Sequence, residues 1–93
     1  MSKRFTYKFP SNAVMPEVES AIVLALLATE GLHGESLVRL ELRHYLDAQQ
    51  RALVVDASTE VGRDFNRILT SFLTRELSPE GFVVQAADAA AAA

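Results

Sequence analysis

Few side chains in this 93-residue sequence are of the types that do chemistry. Cysteine is absent and there are two histidines, His33 and His44. Without cysteine there is no disulfide, no thiolate metal site and no cysteine nucleophile. The grouping with most chemical potential is His33, Glu35, Ser36, Asp56, Ser58, Thr59 and Arg63, with Lys3 and Arg4 close by in the expected fold. A histidine beside an aspartate can move a proton. A helix N-terminus with hydroxyls and an arginine can hold an anion. His33 and Asp56 are therefore the catalytic candidates, and Ser58, Thr59 and Arg63 the ligand-binding ones. A plainer account competes and outweighs this one: Ser58 or Thr59 caps a helix, Asp56 closes a strand, and His33 is a solvated loop residue. His44 has no second histidine or carboxylate at metal spacing around it, so neither a metal site nor a cofactor is expected.

The elements that must position these residues follow from hydrophobic period. Phe5, Tyr7 and Phe9 alternate with Arg4, Thr6 and Lys8, which predicts a half-buried strand over 3–9, ended by Pro10-Ser11-Asn12. A helix is expected from Met15-Pro16-Glu17 to Glu30-Gly31, with proline in its first turn and Gly31 as its cap. Ala21 to Ala28 are eight consecutive apolar residues within it, too few to cross a bilayer. On a helical wheel Val18, Ile22 and Leu26 share one face, whereas Val23 and Leu27 fall opposite and Leu24 between. One sheet covers one side of a helix, so this one needs a second partner.

Leu32 to Ser36 reads as a loop. Val38, Leu40 and Leu42 alternate with Arg39, Glu41 and Arg43, predicting a long strand over 37–47. Ala48-Gln49-Gln50 then joins it as a hairpin to a strand over 51–56. A second helix opens at 56–60. Its apolar residues Val61, Phe65, Ile68, Leu69 and Phe72 form one stripe, broadened by Leu73 and Leu77, away from Arg63, Arg67, Thr70, Ser71 and Thr74. Ser78 to Gly81 stops it, and a last strand is expected over 82–85, followed by an alanine-rich tail over 86–93.

The order β-α-β-β-α-β is that of the split βαβ, ferredoxin-like sandwich. It implies a single α+β domain over 1–85, with a four-stranded antiparallel sheet in the order 4-1-3-2 and two helices on one face. Known residents of that topology are not recognisable here. Copper-chaperone domains need paired cysteines. Acylphosphatases carry a glycine-rich loop with an arginine where this chain has Pro10-Ser11-Asn12-Ala13-Val14, and amino-acid-binding domains of the ACT type usually show a glycine there.

A net charge of -3 argues against general affinity for nucleic acid or anionic membrane. The basic Met1 to Arg4 runs into an alternating strand and not into an apolar signal segment, so a cytoplasmic protein is expected. The open sheet face would show Arg4, Thr6, Lys8, Arg39, Glu41, Arg43, Tyr45, Ala52 and Val54. Nucleic-acid binding there is the weakest reading, because the stacking aromatics point to the core. The leading expectation is a small non-enzymatic module that forms a homo-oligomer, a dimer first of all, through Val23, Leu24 and Leu27 or through the open sheet face. Leaving three such side chains in water forgoes on the order of 5 kcal/mol, comparable to a domain's whole stability. A different protein partner is the variant of that expectation, and a ligand site at the His33/Asp56/Ser58 edge is its alternative.

Overall fold

The structure, a computed structural model, describes residues 3–88. The elements run β1 (Lys3–Lys8), α1 (Met15–His33), α2 (Glu35–Glu41), β2 (Arg43–Asp47), β3 (Ala52–Asp56), α3 (Glu60–Leu77) and β4 (Val83–Asp88). The four strands form one antiparallel sheet in the order β2-β3-β1-β4. That is the expected strand order, but the element order differs from β-α-β-β-α-β by a third helix.

The core lies between one sheet face and the two long helices. Tyr7, Phe9, Leu53 and Val55 from the sheet meet Val18, Ala21, Ile22 and Ala25 of α1 and Phe65, Leu69 and Leu73 of α3. The aromatic strand thus turns Tyr7 and Phe9 inward, in the expected phase, with Phe5 half-buried beside them. The register fixes the opposite face as well. Arg43, Asp56, Arg4 and Ala87 form one cross-strand row, and Tyr45, Val54, Thr6 and Gln85 the next.

The long strand expected over 37–47 is corrected: strand begins only at Arg43, and Glu35 to Glu41 are helical. Arg39 and Glu41 therefore leave the open sheet face. Period two and period 3.6 both fit so short a segment, and helix-favouring Glu, Leu and Arg decide it. Glu35 and Arg39, one helical turn apart, form an ion pair of 2.8 Å. Only Val38 is buried, while Leu40 is 73% exposed.

The expected end of the first helix at Gly31 is also corrected. The helix runs on to His33, and Gly34 closes it with φ 87°, its N–H donating to the Glu30 carbonyl at 2.8 Å. A left-handed residue in this place favours glycine, and the sequence offers two glycines three residues apart. The expected loop over 32–36 thereby shrinks to this one residue. The same break sets α1 and α2 at 114°, and no single helix among the described residues is long and apolar enough to cross a membrane. The last strand is longer than expected: Ala86, Ala87 and Asp88 pair with Phe5, Arg4 and Lys3. The rest of the alanine-rich stretch lies outside the described residues.

Candidate functional site

The end of the sheet where β1 and β2 start and β3 finishes gathers most of the polar residues singled out from sequence. It brings them together in a different grouping. His33 meets Asp64 and not Asp56: His33 Nε2 lies 2.8 Å from Asp64 Oδ2, tying the end of α1 to the first turns of α3. The solvated-loop reading of His33 fails too, since its side chain is 14% exposed.

Asp56 serves the turn into α3. Its Oδ1 accepts from the Ser58 N–H at 2.9 Å, and hydrogen bonding from Ser58 holds its carboxyl below the ordinary range, helped by Arg4 and Arg43. Thr59 is the N-cap of α3. Its hydroxyl accepts from the Gly62 N–H at 2.9 Å and donates to the Glu41 carbonyl at 3.2 Å, locking α2 to the start of α3. Asp56, Ser58 and Thr59 are thus engaged in shaping one turn, and the expected His33–Asp56 couple is not assembled.

Arg63 has another fate. It lines a cavity of about 250 Å³ with Lys3, Phe5, Ala57, Asn66 and Arg67, between the start of β1 and the outer side of α3. Three of those six residues are cations and none is an acid. Among the described side chains, neither Arg63 nor Arg67 forms an ion pair. Asn66 is held from beneath. The buried Tyr7 hydroxyl donates to its Oδ1 and lies 2.8 Å from the Thr70 hydroxyl. Thr70 in turn donates to the Asn66 carbonyl at 2.8 Å. Burial raises the Tyr7 pKa, partly opposed by the Thr70 contact. Sequence reasoning kept Lys3 close by but missed Phe5, Asn66 and Arg67. The signal was the i, i+4 spacing of Arg63 and Arg67, which sets both on one side of the helix.

His44 lies on the helix-covered side, as its strand phase implied. Its ring stacks on Phe65 with centroids 5.3 Å apart, and this burial lowers its pKa. Among the described residues no cluster of three or more His, Asp or Glu side chains could hold a metal ion.

The remaining feature is apolar. Val23, Leu24 and Leu27 of α1 stand 53%, 46% and 58% exposed. Glu19, Ile22 and Val23 share a shallow depression with His44, Tyr45 and Leu46, so the outward side of α1 adjoins the sheet edge formed by β2. Tyr45 is itself exposed on the open sheet face. Compared with protein-family models, with curated proteins and with solved structures, the chain matches none of them.

Proposed function

We propose that this protein is a self-associating α+β module, a second copy of the chain covering the outward side of α1. The observation that carries this reading is the set Val23, Leu24 and Leu27, exposed on the outward side of α1, with Val23 next to β2, an edge strand among the described residues. The fold we assign is a ferredoxin-like sandwich with α2 inserted before its second strand. The strand order and the placement of both long helices on one sheet face support it.

Magnitudes say what the interface needs. The three side chains are already about half-buried. At ~1.5–3 kcal/mol for each full burial, covering the rest yields roughly 2–5 kcal/mol per copy. Association costs ~4–15 kcal/mol in lost freedom, so the helix face alone gives a weak contact. The β2 edge supplies more. Among the described residues its outer backbone groups have no strand beside them, and such an edge is a template for pairing. Set antiparallel to itself about Tyr45, β2 places Arg43 opposite the partner's Asp47 on both sides of a two-fold axis, and His44 opposite the partner's Leu46. An isologous contact of this kind closes at two copies.

Light scattering at micromolar concentration tests this. The expected mass is near twice the 10.2 kDa of one chain. Leu27→Lys with Val23→Lys is expected to return it to one chain without loss of the folded state. Arg43→Asp weakens the dimer, and adding Asp47→Arg restores it. A chain that stays at 10.2 kDa up to high micromolar concentration overturns the reading.

A further inference from the structure

The cavity above Tyr7 has no part in that interface. It lies between the start of β1 and the outer side of α3, whereas the depression beside α1 adjoins β2. We propose that it is a binding site for a small phosphate-type dianion, either free phosphate or the terminal group of a small phosphomonoester.

The argument starts from charge. The chain has 12 acidic and 9 basic residues, so acidic neighbours are plentiful. Arg39 takes one, pairing with Glu35 at 2.8 Å. Lys3, Arg63 and Arg67 instead converge on one cavity with no carboxylate in its lining, and neither arginine forms an ion pair with a described side chain. Asp64, between the two arginines in sequence, is turned to His33. Like charges at i, i+4 destabilise a helix, so Arg63 and Arg67 carry a cost that a bound dianion removes. Guanidinium groups are forked donors matched to phosphate oxygens, and Lys3 adds a compact third charge.

The floor of the cavity adds a neutral donor. The Tyr7 hydroxyl engages the oxygen of the Asn66 amide, which leaves the NH₂ end of that amide for another acceptor. Phe5 and Ala57 supply an apolar wall. A volume of about 250 Å³ has room for a phosphate group with a small substituent.

The test is titration of the full chain, at constant ionic strength and about pH 8 where phosphate is dianionic, with inorganic phosphate and separately with phenyl phosphate. Amide chemical shifts and calorimetry provide the readouts. Saturable shifts at Ala57, Arg63, Asn66 and Arg67 are expected with at least one probe. Tighter binding of phenyl phosphate assigns the ester, and equal binding assigns the free anion. Arg67→Gln is expected to weaken binding roughly tenfold, as the loss of one charge-assisted hydrogen bond implies. Arg63→Gln with Arg67→Gln abolishes saturation. Lys3→Gln gives the same readout should the arginine variants lose their fold. Val23→Lys with Leu27→Lys leaves binding unchanged, which separates this site from self-association. Shifts that grow linearly, or that persist in the double arginine variant, overturn the proposal.

Discussion

The helices α1 and α3 lie side by side on the same sheet face, and they treat their outer surfaces differently. α3 buries Val61, Phe65, Leu69 and Leu73 along one stripe and turns Arg63, Arg67, Ser71 and Arg75 outward. α1 buries Val18, Ala21, Ile22 and Ala25 and turns Val23, Leu24 and Leu27 outward instead. It buries one polar residue, Thr29, whose hydroxyl donates to the Ala25 carbonyl at 2.7 Å and so costs little. α3 is also tied to the sheet by a polar contact, Tyr7 to Asn66 and Thr70. The difference teaches that a helix is read by its outer side as much as its inner one. The inner stripes build the fold, and the outer sides differ in kind: apolar on α1, where the self-association is proposed, and cationic on α3, where the anion site is proposed.

Truncating each side in turn sharpens that comparison most. Leu69→Ala in α3 removes a fully buried side chain and is expected to lower stability by about 2–5 kcal/mol. Leu27→Ala in α1 is expected to cost the monomer less than about 1 kcal/mol, since more than half of that side chain is in water. Urea unfolding in dilute protein measures both. Equal costs would erase the contrast.

The glycines give the next contrast, of opposite sign. A Cβ on Gly62 would fall on the Asp56 carbonyl oxygen and lie 3.2 Å from Thr59 Oγ1 and 3.3 Å from the Ala57 Cα, because the chain folds back tightly between β3 and α3. Gly62→Ala is expected to cost about 1–3 kcal/mol. Gly31 lies inside α1, where an added Cβ meets nothing within 4 Å. Gly31→Ala is expected to stabilise by about 0.5–1 kcal/mol, the helix-propensity difference. Thermal melts of the two variants should move in opposite directions.

These residues also mark what the sequence made legible. The stripe on α3 and the all-round apolar character of α1 are both plain in residue spacing, because helical period survives any tertiary arrangement. The phase of Phe5, Tyr7 and Phe9 is plain for the same reason. Gly31 and Gly34 are not distinguishable from sequence, since either can cap a helix and packing of the following turn decides. Val38 and Leu42 carry too short a pattern to separate strand from helix. The cationic cavity was only partly legible. Arg63 and Arg67 share a helix side by spacing, but their meeting with Phe5 and Lys3 depends on which sheet edge α3 covers.

The polar tie between β1 and α3 is the third point of attack. Tyr7→Phe keeps the ring in place and leaves Asn66 Oδ1 and Thr70 without the hydroxyl, an expected loss of about 1–2 kcal/mol. The wild type carries a matching pH signature. Burial raises the Tyr7 pKa, so the folded chain keeps a proton that the unfolded chain releases above pH ~10. This contribution is present in full below that pH and is lost as pH rises further. The alkaline limb of the stability curve should be shallower in Tyr7→Phe.

His44 tests the same helix from the other edge of the sheet, with the smallest effect. It stacks on Phe65, and burial lowers its pKa below the ordinary ~6.5. The unfolded chain then binds more protons than the folded one as pH falls below ~6.5, so this contribution is full above that value and drains away beneath it. The outer part of the residue is open to solvent, which holds the effect under about 0.5 kcal/mol. His44→Gln is expected to flatten the difference in stability between pH ~7 and pH ~5 relative to the wild type. An unchanged slope would mean that α3 holds its edge of the core without discriminating between charged and neutral imidazole. The contrast with α1 would then rest on Tyr7 alone.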